Sequence, residues 1–198
     1  MSDYNKFYKA NKYNRGYEPN ELVKDILKYK NQGKVLDLGC GEGQDIIFLA
    51  EKGFETIGID LSNQAIDNLI KLANKRNVEV DARVMNITEY NFSEKFDVIL
   101  SEASLHFLKE EEREDYIHKI KNSTNKNGIN VLGVFDEGTS DELYEGMTHW
   151  GISLFRHNEL FEYYSDWEIL SKKSFEAAMD NGYKRGISQV IARKINEE

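Results

Sequence analysis

The chain has 198 residues, 40% hydrophobic and 12% aromatic, and a formal net charge of −9. That size and composition predict one folded domain over residues 1–198 with a substantial core, and exclude a disordered chain. The acidic balance counts against a broad nucleic-acid surface, which needs a basic face. No apolar run reaches the length of a membrane span, the start Met1-Ser2-Asp3-Tyr4-Asn5-Lys6 lacks the apolar core of a secretory signal, and a single cysteine, Cys40, allows no intrachain disulfide. The expectation is a cytoplasmic enzyme of a small-molecule substrate, with neither nucleic acid nor membrane as partner; oligomeric state is left open.

In chain order, Leu22, Val23, Ile26 and Leu27 predict a helix over Asn20–Lys30, stopped by Gly33. The run Val35-Leu36-Asp37-Leu38 then reads as a strand buried on both faces, because it is almost continuously apolar. It leads into Gly39-Cys40-Gly41-Glu42-Gly43 and a helix ending near Lys52. A second strand is expected at Glu55–Ile59 and a helix over 63–75, its apolar stripe made of Ala65, Ile66, Leu69, Ile70, Leu72 and Ala73. Further strands are expected at Asn77–Val84, Phe96–Leu100 and Ile129–Phe135, the last entered by a turn at Asn127-Gly128, with a charged helix at Glu110–Lys121 before it. Two β-rich runs, Trp167–Phe175 and Ile187–Lys194, flank a turn at Asp180-Asn181-Gly182 and read as a closing hairpin. Alternating strands and helices make this an α/β chain.

The glycine loop carries the chemistry. Glycines tolerate positive φ and leave no Cβ between the backbone and a ligand. Asp37 sits at the carboxyl end of a strand, where open α/β sheets bind ligands. A dinucleotide site wants G-x-G-x-x-G; here the third glycine, Gly43, comes one residue early and Gln44 fills the dinucleotide position. Glu42 and Asp45 flank the helix start, and their charges would repel a pyrophosphate. An adenosine cofactor without phosphates suits the loop better: S-adenosyl-L-methionine (SAM), whose ammonium group complements Asp37. Asp60 ends the second strand 23 residues after Asp37, a spacing that lets it accept hydrogen bonds from both ribose hydroxyls; Asp60-Leu61-Ser62 equally offers caps to the next helix. Asn86 follows the third strand, either meeting the adenine amino group through its amide oxygen or serving as a turn residue, with Met85 or Ile87 able to pack on the adenine face. Cys40 reads as a small side chain filling a tight loop.

The run Val35–Gly43 resembles motif I of the class I SAM-dependent methyltransferases. Ser101-Glu102-Ala103-Ser104-Leu105-His106-Phe107 resembles their motif IV, without the [DN]-P-P-[YF] tetrad of nucleobase methyltransferases. The segment Leu154–Trp167 is similar to the F-[KR]-x-x-E-L-x-x-Y-[YF]-x-x-W segment of the TehB-type tellurite methyltransferases, as are the start Asn11-Lys12-Tyr13 and the end Ile191-Ala192-Arg193-Lys194. The resemblance implies a Rossmann-like class I methyltransferase fold: a mostly parallel seven-stranded sheet closed by a C-terminal antiparallel hairpin. It implies SAM as methyl donor (leaving S-adenosyl-L-homocysteine, SAH) and a tellurium or selenium oxyanion as acceptor. Cofactor contacts are then expected at Tyr13, Asp37, Gly39, Cys40, Gly41, Asp60, Leu61, Asn86, Ile87 and Ser101, and no metal. Arg156 matches the basic position of the family segment and His106 is a candidate for proton transfer; residues 1–20, with Phe7, Tyr8, Tyr13 and Tyr17, offer a water-excluding lid, Tyr13 foremost. Leu160, Phe161, Tyr164 and Trp167 also have the spacing of a packed helix. One departure stands out: the family's His-Arg pair before the hairpin turn is replaced by Glu176-Ala177-Ala178-Met179, leaving Lys184 and Arg185 beyond the turn as substitutes. A small organic amine, thiol or carboxylate acceptor, with His106 or Glu102 as base, and a non-catalytic SAM-binding module are the other readings.

Overall fold

The computed structural model describes residues 3–10, 13, 16–179 and 182–195. The expected start Asn11-Lys12 and the turn residues Asp180-Asn181 lie outside them. The chain forms two compact units, Met1–Leu100 and Ser101–Glu198.

The first unit begins with helix α1 (Asp3–Ala10) and a short α2 (Glu21–Lys24) that runs into a 3-10 turn at Asp25–Lys28. Strand β1 (Lys34–Leu38) leads to α3 (Gln44–Glu51), β2 (Glu55–Asp60) to α4 (Asn63–Arg76), and β3 (Asp81–Val84) to the first part of β4 (Phe96–Glu102). β1 pairs in parallel with β2 (Leu36↔Ile57) and with β4 (Leu36↔Ile99), which is why Val35, Leu36 and Leu38 are fully buried. Two expectations are corrected here. β3 starts at Asp81, not Asn77, because Asn77 takes a left-handed φ of 55° as the C-cap of α4 and Val78 donates its N–H back to Ala73 O. Ile70 is 44% exposed and lies outside the apolar stripe of α4, where Asn68 is buried in its stead.

The second unit holds α5 (Glu110–Asn122), β5 (Thr124–Asp136), α6 (Asp141–Met147), α7 (Glu159–Glu162), β6 (Glu168–Ala178) and β7 (Lys184–Arg193). β7 is antiparallel to both β5 and β6, as the hairpin reading requires. β5 starts at Thr124, before the expected turn, and carries Asn127 within it at φ 60°. The strand order β3-β2-β1-β4-β5-β7-β6 makes a seven-stranded, mostly parallel sheet ending in an antiparallel hairpin: the class I methyltransferase architecture.

Candidate active site

Between β1 and α3 the chain turns through three glycines in the left-handed region: Gly39 at φ 84°, Gly41 at 53° and Gly43 at 86°. Gly39 and Cys40 donate their N–H groups to Ile59 O, each at 2.9 Å, which ties the loop to the tip of β2. Gly43 is required for packing as well, since a Cβ there would stand 2.4 Å from Leu69 Cγ. Cys40 is buried with its sulfur 3.0 Å from where a Cβ on Gly58 would be, and burial, with Asp37 and Asp60 nearby, pushes its thiol pKa well up. It stays protonated and fills space, as its size suggested.

Asp60, the last residue of β2, anchors this loop. Its Oδ2 accepts Gly41 N–H at 2.9 Å and its Oδ1 accepts Ser62 N–H at 2.8 Å. Burial raises its pKa, and those two N–H groups work in the opposite direction. Each oxygen has a second lone pair, so the carboxylate fits a pair of ribose hydroxyls. The cap role falls to Ser62, whose Oγ accepts Ala65 N–H at 3.2 Å. Leu61 beside it is 51% exposed, and Asp37 is buried at the end of β1. Asn86 Oδ1 accepts Thr88 N–H at 3.1 Å and caps a 3-10 turn that includes Ile87, so the turn role is realised there.

The sequence reading missed how the N-terminal segment is fastened to this loop. Glu42, 2% exposed, accepts Tyr13 N–H at 2.7 Å on Oε2 and Asn68 Nδ2–H at 2.7 Å on Oε1. Asp45 accepts Asn20 N–H at 2.6 Å, and Asn5 Oδ1 accepts Ser62 Oγ–H at 2.7 Å. The available signal was Asn68, a polar residue inside an apolar helix stripe, where a buried amide demands partners. Tyr13 donates its hydroxyl to Asn68 O at 2.8 Å and packs on the core around Cys40 and Leu69.

In the second unit Ser101 and Ser104 are buried and their hydroxyls lie 2.5 Å apart. Between them Ala103 adopts φ 60°, a left-handed backbone that is strained for a residue with a Cβ. Glu102 runs over Gly133, where a Cβ would stand 2.1 Å from its Oε2, and its Oε1 accepts Gln189 Nε2–H at 3.3 Å. His106 is buried and stacked on Phe135 at 4.0 Å; its Nδ1 accepts Phe135 N–H at 3.3 Å. Burial first, then Arg185 and Arg113, push its pKa down to about 3. Arg156 is 56% exposed, with Nη2 3.6 Å from Glu162 and Nε 3.9 Å from Glu159. Of the two cations beyond the hairpin turn, Lys184 pairs with Glu176 at 2.6 Å, while the Arg185 guanidinium lies 4.6 Å from the Phe135 ring centre.

The family model for "Tellurite resistance protein TehB" matches residues 2–183. The chain belongs to the TehB family. A probable SAM-dependent methyltransferase TehB of Haemophilus influenzae is 32% identical over 166 residues, which are 82% of this chain and 55% of that protein. The crystal structure of TehB from Haemophilus influenzae superposes with a TM-score of 0.80 at 28% identity, covering 96% of this chain and 67% of that one. A 2-heptyl-1-hydroxyquinolin-4(1H)-one methyltransferase of Mycobacteroides abscessus is 33% identical over 59% of this chain and 52% of its own length. The chain thus spans about half the length of the curated relatives it matches. In this TehB-family chain the segment 154–167 is largely structural: Leu160, Tyr164 and Trp167 are buried, and Glu159 grips Arg113 Nη1 at 3.1 Å through both oxygens. Among the described residues no helix is long and apolar enough to cross a membrane.

Proposed function

We propose that this protein transfers the methyl group of SAM to a small molecule, with a tellurium or selenium oxyanion as acceptor. The observation that carries the cofactor half is Asp60, a buried carboxylate held by the N–H groups of Gly41 and Ser62 at the end of β2. Asp60 takes the ribose hydroxyls, and Asp37 complements the ammonium group. Gly39, Cys40 and Gly41 leave the backbone open along the cofactor; Asn86, through the second lone pair of its amide oxygen, and Ile87 would take the adenine, with Leu61 and Tyr13 as further contacts. When bound, SAM supplies a sulfonium-activated methyl group. The protein's work is then positioning, because a tellurium or selenium lone pair attacks without a general base.

His106 suits such base-free chemistry. With Nδ1 accepting from Phe135, its proton sits on Nε2, and the neutral ring is a hydrogen-bond donor instead of a proton acceptor. Arg156 would have to leave Glu159 and Glu162 to reach an anion, and the Arg185 guanidinium lies over Phe135 in the vicinity of His106. An organic acceptor is favoured by a different observation. Glu102 holds a carboxylate at the end of β4, which suits a hydrogen-bond-donating acceptor, and a relative acts on a hydroxyquinolone.

The test is SAH formation by purified protein given SAM with and without tellurite, with methylated tellurium measured in the headspace. Tellurite-dependent turnover is expected. SAH binding without tellurite turnover would overturn the acceptor and leave the cofactor reading standing.

A further inference from the structure

We propose that Tyr8 is a cofactor-contact residue and that Glu42 is the positioning residue that keeps it in place. The proposal rests on the reading of the Gly41–Asp60 loop as the SAM site. Tyr8 Oη lies 3.1 Å from where a Cβ on Gly41 would be, so the phenol meets the glycine whose N–H is bonded to Asp60. A side chain on Gly41 would be strained at the loop's φ and would crowd this hydroxyl. Tyr4, one helical turn earlier on the same face of α1, feels the charge of the same acid. Burial and the Asp60 charge raise the pKa of both phenols, so each keeps its proton and can donate a hydrogen bond.

α1 does not rest there by hydrophobic contact alone. Asn5 Oδ1 accepts Ser62 Oγ–H at 2.7 Å and Gln64 N–H at 3.3 Å, which fixes the helix over the start of α4. On the far side, Glu42 joins Tyr13 N–H to Asn68 Nδ2–H, with both bonds at 2.7 Å. Glu42 is itself in the G-x-G loop, between Gly41 and Gly43. One buried carboxylate therefore links the cofactor loop to Tyr13, three residues beyond the end of α1, and charge-assisted bonds of this kind are about twice as strong as neutral ones. A nucleoside and amino-acid ligand seated on Asp60 and the loop would meet the Tyr8 hydroxyl as its outer neighbour. Tyr8 contributes through that hydroxyl and through its ring; Glu42 contributes without touching the ligand.

The experiment is calorimetric titration with SAH of the wild type, Tyr8→Phe, Tyr8→Ala, Glu42→Gln and Asp60→Ala, with hydrogen exchange of α1 measured in the wild type with and without SAH. Tyr8→Ala is expected to weaken SAH by about tenfold and Tyr8→Phe by a smaller factor, in keeping with loss of one hydrogen bond against loss of the whole contact. Glu42→Gln is expected to weaken SAH by about threefold to tenfold with the binding stoichiometry unchanged, a split that general loss of fold does not produce. Exchange of the α1 amides is expected to slow when SAH binds. Wild-type affinity in Tyr8→Ala, or α1 exchange indifferent to SAH, overturns the proposal while loss of binding in Asp60→Ala keeps the site. A wild type that does not bind SAH overturns the site reading and this proposal with it.

Discussion

His106 is a residue whose charge state follows from where its ring sits. It is buried against Phe135, close to Arg185 and Arg113, and its pKa lies near 3. In the unfolded chain an ordinary histidine takes up a proton near pH 6.5. The folded state binds fewer protons than the unfolded state between those two values, so stability is fully present above pH 6.5 and is lost as pH falls toward 3. Between pH 7 and pH 5 this one ring accounts for a loss of roughly 2 kcal/mol. Urea denaturation at the two pH values should show that slope in the wild type and a much shallower one in His106→Asn. An equal slope in the variant would place the acid sensitivity elsewhere. The sequence exposed His106 as a candidate but not its environment, because the stacking partner Phe135 lies 29 residues away on another element. Glu42 was legible only as a charge near a helix start, since the groups it binds, Tyr13 N–H and the Asn68 amide, come from segments that local spacing does not connect.

Whole elements are joined by a second buried carboxylate. Glu159 of α7 and Arg113 of α5 are 2% and 1% exposed at their side chains, and Arg113 Nη2 also donates to Ser153 O at 2.6 Å and Leu154 O at 3.0 Å. The guanidinium lies 4.0 Å from the Phe155 ring centre. Glu159 accepts Arg156 N–H at 2.7 Å and Tyr163 Oη–H at 3.1 Å as well. Removing one partner of such a pair strands the other charge, which costs about 3–5 kcal/mol. Glu159→Ala should therefore lower the urea-unfolding free energy by about that amount, and Glu159→Ala with Arg113→Met should recover a large part of it. Additive losses in the double variant would count against the pair. This clamp explains why a run of four helical residues holds its place without the length that an isolated helix needs. It also bears on what was readable beforehand. β1, β2 and most of α4 could be placed from the sequence because apolar periodicity and burial agree there, Ile70 and Asn68 of α4 excepted. α7 was visible only as aromatic spacing, and the true starts of β3 and β5 were hidden, because Asn77 and Asn127 adopt left-handed conformations that propensity does not foretell.

At the scale of the whole molecule the formal charge of −9 separates an anionic acceptor from a cationic one. A protein's summed field repels like-charged ligands and attracts opposite ones, over a range that shrinks from about 30 Å at 0.01 M salt to about 8 Å at 0.15 M. Three cations of the second unit are engaged with carboxylates: Lys184 with Glu176, Arg156 with Glu159 and Glu162, and Arg113 with Glu159. With SAM held at saturation, kcat/KM for a tellurite anion should rise by roughly severalfold as salt is raised over that range, because screening removes a repulsion. For an ammonium-bearing acceptor it should fall, because screening removes an attraction. The net charge sets the sign of the slope where the potential at the site follows the global field, and donors at the site act against it. A rise with tellurite would mean that the enzyme binds an anion against its own field, through local donors such as Arg185 and the His106 Nε2–H. A fall with tellurite would mean that those donors create a positive region strong enough to reverse the global field at the site, and charge-neutral substitution of Arg185 should then return the slope to the sign that the net charge dictates.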